Sequence, residues 1–266
     1  MKKIITILFA VALIVNNAYA FKAFGHQTIA ALAERHLTET AKKEVHAILK
    51  ADMTKHAMWL YSLRNNPELA HTQEWQIATL NTEGKSMTTY ENDAVVVLER
   101  AVEILRNRKN EGDSLVQASL RTVIQLVGDI HCLGNIQIDG NEATKGFNFT
   151  TFAITKGSSA GEKEIRRGYT WRILWHNYTN RHDVFSPQYY AADLEIGHNS
   201  KKAEYEKGTP RFWAENVGED VVRSLAVFYP DALIKSEMVH RYETLHDKCM
   251  VKAGYRLAAL LNEIFN

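Results

Sequence analysis

The stretch that decides the fold reads Leu120-Arg121-Thr122-Val123-Ile124-Gln125-Leu126-Val127-Gly128-Asp129-Ile130-His131. Leu120, Val123, Ile124 and Val127 recur at three- and four-residue steps, the spacing that lays one apolar stripe along a helix. The helical reading runs from Leu115 to His131 with that stripe facing inward.

Working outward, the same periodicity returns along most of the chain. One segment runs from about His26 to His36. The next starts near Thr38, a side chain suited to capping a helix, and sets Ala41, Val45, Ile48 and Leu49 on one stripe. Ala94 to Arg106 is strongly apolar, and helical pattern is also read over Arg166–Trp175, Pro210–Phe228 and Val239–Phe265. Between Gly134 and Glu164 the chain is polar and glycine-bearing, with Phe147–Ile154 expected as a short extended piece. Four prolines and fourteen glycines give little punctuation. No internal repeat, low-complexity run or linker interrupts the pattern. One all-α domain over residues 21–266 is the economical reading.

The first twenty residues read differently. Lys2 and Lys3 precede an apolar run from Ile4 to Val15, then Asn16 and Asn17, then Ala18-Tyr19-Ala20. A charged start, a short apolar core and an A-x-A end make a cleavable secretion signal over residues 1–20. The run is shorter than the roughly 20 residues a membrane span needs. Cleavage between Ala20 and Phe21 predicts an exported protein, periplasmic or secreted. No cysteine follows the cut, which argues against a lipid anchor there, and no later stretch reads as a membrane span.

The formal charge of +1 falls to −1 once Lys2 and Lys3 leave with the signal. Such a balance gives no support for broad electrostatic binding of duplex DNA, which draws its affinity from many lysine and arginine contacts. Two cysteines, Cys132 and Cys249, are either bridged or buried as thiols. A bridge would close a loop of over a hundred residues, worth about 4–5 kcal/mol in the chain-entropy picture.

Five groups of residues carry the chemistry. The mature start is Phe21-Lys22-Ala23-Phe24-Gly25-His26, where a free α-amine, a carbonyl and an imidazole are sound zinc donors. Then come Ala57-Met58-Trp59-Leu60-Tyr61-Ser62-Leu63-Arg64 with Pro67, and Trp75-Gln76-Ile77. The third group is Leu120 to His131, ending in Gln125–His131, and the fourth is Trp171-Arg172-Ile173-Leu174-Trp175-His176. The last is Ala253-Gly254-Tyr255-Arg256-Leu257-Ala258-Ala259-Leu260-Leu261-Asn262.

In this order the groups resemble the landmarks of the secreted zinc-dependent S1/P1-type nucleases. That family reads W-G-x-x-G-H, then A-S-W-A-D…R…P, W-H-Y, H-L-V-G-D-I-H-Q-P-L-H, N-L-H-x-x-W-D and A-G-x-R-L-A-x-x-L-N. The resemblance spans nearly the whole mature chain. Gly128-Asp129-Ile130-His131 and Ala253–Asn262 are its most specific pieces. It implies a helical fold related to phospholipase C, with a three-zinc cleft. Such a cleft hydrolyses phosphodiesters in single-stranded nucleic acid and releases phosphate from nucleotides.

Carried over position by position, the family's ligand set is mostly replaced. The first metal would keep the backbone of Phe21, the His26 imidazole and Asp129. The second would face Tyr61, Gln76 and Gln125 beside the shared Asp129. Neutral amides are poor zinc ligands, and a tyrosine near its ordinary pKa of about 10 is protonated. The third would face Asn135, Arg172 and His176, and a guanidinium that cannot deprotonate repels a divalent cation. Six of the eight side-chain ligand positions are thus changed, and at most one zinc is expected rather than three. Ile77 stands where the family has an aromatic residue that stacks on a base, a contact worth about 1–3 kcal/mol.

Plainer roles stand beside these. Trp59, Trp75, Trp171, Trp175 and Trp213 are expected in the core, and His131 is expected as a hydrogen-bonded structural residue. His26 and Asp129 make either a zinc site or a simple buried hydrogen bond. His176, His182 and Asp183 read as solvated surface or, failing that, as an unrelated loop site, and Asn148-Phe149-Thr150 and Asn177-Tyr178-Thr179 fit the glycosylation triplet.

Three functions are therefore expected in order. The first is a pseudoenzyme binding a nucleotide, single-stranded nucleic acid or other phosphorylated ligand, with Arg172 as the phosphate-facing group. The second is a residual one-metal phosphoesterase using Phe21, His26 and Asp129, with Asp129 and Arg172 as candidate catalytic groups. The third is a non-enzymatic protein that uses the outer face of the same scaffold to bind a protein partner.

Overall fold

The computed structural model describes residues 21–87, 89–146, 148–156, 162–177, 185–227, 233–234 and 236–266. The signal-peptide reading, His182, Asp183 and Tyr178 lie outside them.

Eleven α-helices are seen among the described residues. In chain order they are α1 (Lys22–Arg35), α2 (Glu39–Leu49), α3 (Trp59–Ser62), α4 (Ala94–Arg106), α5 (Asp113–Asp129), α6 (Glu142–Gly146), α7 (Trp171–Asn177), α8 (Pro187–Ile196), α9 (Lys202–Tyr205), α10 (Pro210–Leu225) and α11 (Ser236–Phe265). Their starts follow from local chemistry. The side-chain oxygens of Thr38, Asp93, Ser186 and Thr209 accept the backbone N–H of Ala41, Val95, Tyr189 and Phe212 at the heads of α2, α4, α8 and α10. Pro187 and Pro210 open the last two of these, where a missing N–H costs nothing.

The apolar stripes meet in one core. Ile29 and Leu32 of α1, Val45 of α2, Leu98 and Val102 of α4, the four stripe residues of α5, and Met250, Tyr255 and Leu261 of α11 are all buried in it. Burying each such side chain is worth about 1.5–3 kcal/mol. Trp171, Trp175 and Trp213 are core residues as expected, while Trp59 and Trp75 pack against the core half-buried.

Strands are additions to this helical body. Strand β1 (Ala78–Leu80) pairs in parallel with β2 (Ile136–Ile138), Ala78 opposite Ile136. Strand β3 (Asn148–Lys156) forms a hairpin with β4 (Glu162–Thr170), and β5 (Leu233–Ile234) joins β3 in parallel. Of the extended piece expected at Phe147–Ile154, Asn148–Ile154 falls in β3, and Phe147 lies outside the described residues. The helix expected over Arg166–Trp175 is corrected. Its first half is β4, paired from Glu162 to Thr170, and α7 starts only at Trp171. Gly168 is a poor helix former and Tyr169 and Thr170 favour strands, so nine paired positions outweigh the few apolar residues at helical spacing.

Both cysteines are buried and unbridged. Burial pushes each thiol up to about 12, which keeps it protonated and inert. No helix among the described residues is long and apolar enough to cross a membrane.

Candidate functional site

The site gathers at the C-terminal end of α5. Asp129 is the last residue of that helix and wholly buried, and Gln125 lies one turn earlier on the same face. The short turn after α5 brings Asn135 back over Asp129. The pairing of β1 with β2 then sets the segment ending in Gln76 beside the segment ending in Asn135, because Ala78 and Ile136 are partners. Gln76 is itself buried.

Asp129 is surrounded by donors. Asn135 Nδ2 donates to Asp129 Oδ1 at 2.9 Å, and Gln125 Nε2 lies 3.5 Å from Oδ2. His26 Nε2 lies 3.5 Å from Oδ1, with both side chains buried. Gln125 is fixed in turn by its Oε1, which accepts the backbone N–H of Leu60 at 2.8 Å, next to Tyr61. His176 Nε2 donates to Asn135 Oδ1 at 3.3 Å, extending the chain to α7. A carboxylate only accepts, so these contacts fix the amide of Asn135 with its nitrogen toward Asp129 and its oxygen toward His176.

Gly128 makes room for His26. A Cβ built there would lie 2.6 Å from His26 Nδ1 and 2.8 Å from Cε1, far inside van der Waals contact. The imidazole therefore sits on the bare backbone of α5, which explains a glycine in the last turn of an otherwise good helix former.

Phe21 turns into this site through two successive left-handed residues, Phe21 (φ 46°) and Lys22 (φ 50°). Its ring is fully buried and meets the His246 ring edge-on at 4.8 Å. Its carbonyl accepts the N–H of Gly25 at 3.1 Å. Phe21 thus contributes a core side chain.

The electrostatics of the cleft are basic. Burial, then the charges of Arg172, His26, His246 and Lys22, hold the His176 imidazole well below its ordinary range, so it is neutral at pH 7. The Arg172 guanidinium is lowered by burial, with Asp129 and Cys132 opposing that shift. It remains charged. Arg64 stacks its guanidinium 3.7 Å above the Tyr61 ring. This puts a second fixed positive charge at a position where a zinc ligand was sought.

The family signature outside the cleft has a structural explanation. His131, fully buried, donates from Nδ1 to the Val127 carbonyl at 2.6 Å and accepts Arg256 NH1 on Nε2 at 2.8 Å. Arg256 also donates to the Tyr205 carbonyl at 3.0 Å. A Cβ at Gly254 would meet Leu32 at 2.5 Å, so the glycine lets α11 lie close on α1. Asn262 closes the helix pair by accepting the Thr38 N–H at 2.8 Å and donating to the His36 carbonyl at 2.9 Å.

The fold and its closing motifs define an all-helical scaffold held by α1, α5 and α11. The sequence model of the S1/P1 Nuclease family matches residues 21–266, and the chain belongs to that family. Its members are zinc-dependent and act on nucleic acids or nucleotides. No curated protein matches the chain.

The residues present do not fit the family's second and third zinc positions. The amide hydrogens of Asn135 and Gln125 point at Asp129, where a bridging cation would need lone pairs, and the buried Arg172 guanidinium lies near enough to interact with the same carboxylate. The first position does fit in donor type. His26 and Asp129 face each other there, and His26 Nδ1, against Gly128, has no hydrogen-bond partner. His176, expected at the surface, is instead buried in the cleft wall, because α7 packs it against Asn135. Two further contacts went unread in the sequence. Arg64 stands three residues after Tyr61, a helical neighbour spacing that foretells the stacking. Nothing in the sequence marks His246 as a partner of Phe21.

Proposed function

We propose that the protein is an exported S1/P1-type relative that has lost phosphodiester hydrolysis and keeps its cleft for binding a nucleotide-like or other phosphorylated ligand. The observation that carries this reading is the hydrogen bond from Asn135 Nδ2 to Asp129 Oδ1. It satisfies, with a neutral amide, a carboxylate that a metal cluster would otherwise neutralise. Gln125, Asn135 and His176 then form a metal-free network, and Arg172 supplies fixed positive charge for a phosphate. Export is supported by the leader pattern and by a family match that begins at Phe21, the residue after the cut.

The test is zinc content and hydrolysis of single-stranded DNA and of nucleotide monophosphates by the correctly processed protein. Absence of turnover with zinc in excess agrees with the reading. Two or more tightly held zincs with brisk turnover exclude it.

A second reading rests on the pairing of His26 with Asp129 at 3.5 Å. In it the Phe21 amine and carbonyl, His26 and Asp129 hold one zinc, which supplies an activated water when bound. Arg172 steadies the phosphoryl charge. One extra residue before Phe21 moves the amine away and abolishes the activity of such an enzyme. Unchanged activity in that variant rules the reading out.

A further inference from the structure

A second group of metal-ligating side chains lies outside the cleft. Glu34 is in the last turn of α1, His46 in the last turn of α2, and Asp52 just beyond α2. One ligand atom from each falls within 4.8 Å of the other two. The chain is bent to achieve this. Lys50, the residue after α2, takes a left-handed conformation (φ 59°), and its N–H returns to the His46 carbonyl at 2.9 Å. That reversal carries Asp52 back beside the last turn of α2.

The partners are not spent elsewhere. Asp52 occupies the N-cap of the 3-10 turn Met53–His56, where an aspartate normally accepts a backbone N–H. Here its side chain makes no capping bond. Glu34 Oε1 is in contact with His46 Nε2. An ion pair with His46 needs only one carboxylate. Bringing a second beside it sets like charges close together, which is unfavourable unless a cation lies between them.

We propose that Glu34, His46 and Asp52 bind a divalent transition-metal ion, zinc in an exported protein, at a site separate from the cleft. One imidazole and two carboxylates suit zinc, and three protein ligands leave a position for water. The three ligands come from the ends of α1 and α2 and the turn that follows, so the ion ties these ends together. The site is partly open, with the His46 side chain about a third exposed and that of Glu34 at 15 %. It therefore loads from solvent.

The test uses the processed full-length protein, stripped with a chelator and dialysed against zinc. Wild type, His46→Ala, Asp52→Asn and Asp129→Asn are compared by metal analysis and calorimetry. One zinc is expected in wild type and in Asp129→Asn. His46→Ala and Asp52→Asn should weaken that binding more than about tenfold, since loss of a ligand exceeds loss of a supporting contact. Their metal-free melting curves should match wild type, as His46 and Asp52 lie near the surface. Cobalt(II) should give a visible absorption band that disappears in His46→Ala. Zinc binding unaffected by His46→Ala, or lost only in Asp129→Asn, overturns the proposal, as does no zinc binding at all. The Asp129→Asn arm reports on the cleft alone, so the two accounts fail separately.

Discussion

Asn135 and Asp129 form a donor–acceptor pair, amide nitrogen to carboxylate oxygen at 2.9 Å, wholly out of contact with water. In a cleft built for cations the same carboxylate would face a metal. The pair predicts that Asn135→Asp is destabilising in the presence of chelator, by about 2–4 kcal/mol at pH 7, because two buried carboxylates cannot both stay charged. Urea denaturation measures it. A variant as stable as wild type would mean that Asp129 is not held by Asn135.

Gly128→Ala should displace His26. The added methyl lies within 3 Å of two ring atoms, and the backbone of α5 cannot retreat. A loss of about 1–3 kcal/mol is expected, as for other overpacked cores. The His26 ring resonances should move in the NMR spectrum, and resonances that stay in place would contradict the packing described.

Arg256→Met strands two buried acceptors, His131 Nε2 and the Tyr205 carbonyl. The expected cost is about 2–4 kcal/mol, read by chemical denaturation. A near-neutral outcome would show that the two most specific sequence motifs of the chain do not depend on each other.

Stability should fall on acidification below neutrality. Burial, then Arg256, holds His131 well below its ordinary 6.5, and burial, then Arg172, does the same for His176. The unfolded chain therefore takes up protons near 6.5 that the folded chain refuses. The stabilisation is complete above that value and is lost as pH falls through it toward the depressed folded values. Thermal melts in chelator should be flat from pH 7.5 to 8.5 and drop steadily below 6.5. Replacing His176 with Gln should reduce the slope by about one proton.

The helices were legible because their stripes are long. The stripe Leu120, Val123, Ile124 and Val127 and the cap at Thr38 are local signals, and both stand in the structure. The strands β3 and β4 were half legible. The β4 register depends on partners in another strand, up to Asn148 opposite Thr170, and the few apolar residues of Arg166–Trp175 carry both periods. In the site, the ordered motifs named every position that converges on Asp129. They did not foretell that Asn135 would bond directly to it, since that contact depends on how the turn after α5 closes back on the helix end. Phe21 in the core and His246 against Phe21 depend on tertiary packing that no spacing in the chain encodes.

The most direct test counts zinc that depends on Asp129 and follows cleavage of single-stranded DNA by the same samples. Wild type and Asp129→Asn, each beginning at Phe21, are compared with zinc in excess. The account predicts no more than one ion lost on substitution and no turnover in either protein. Two or three ions that vanish with Asp129, accompanied by turnover that vanishes with them, would contradict it.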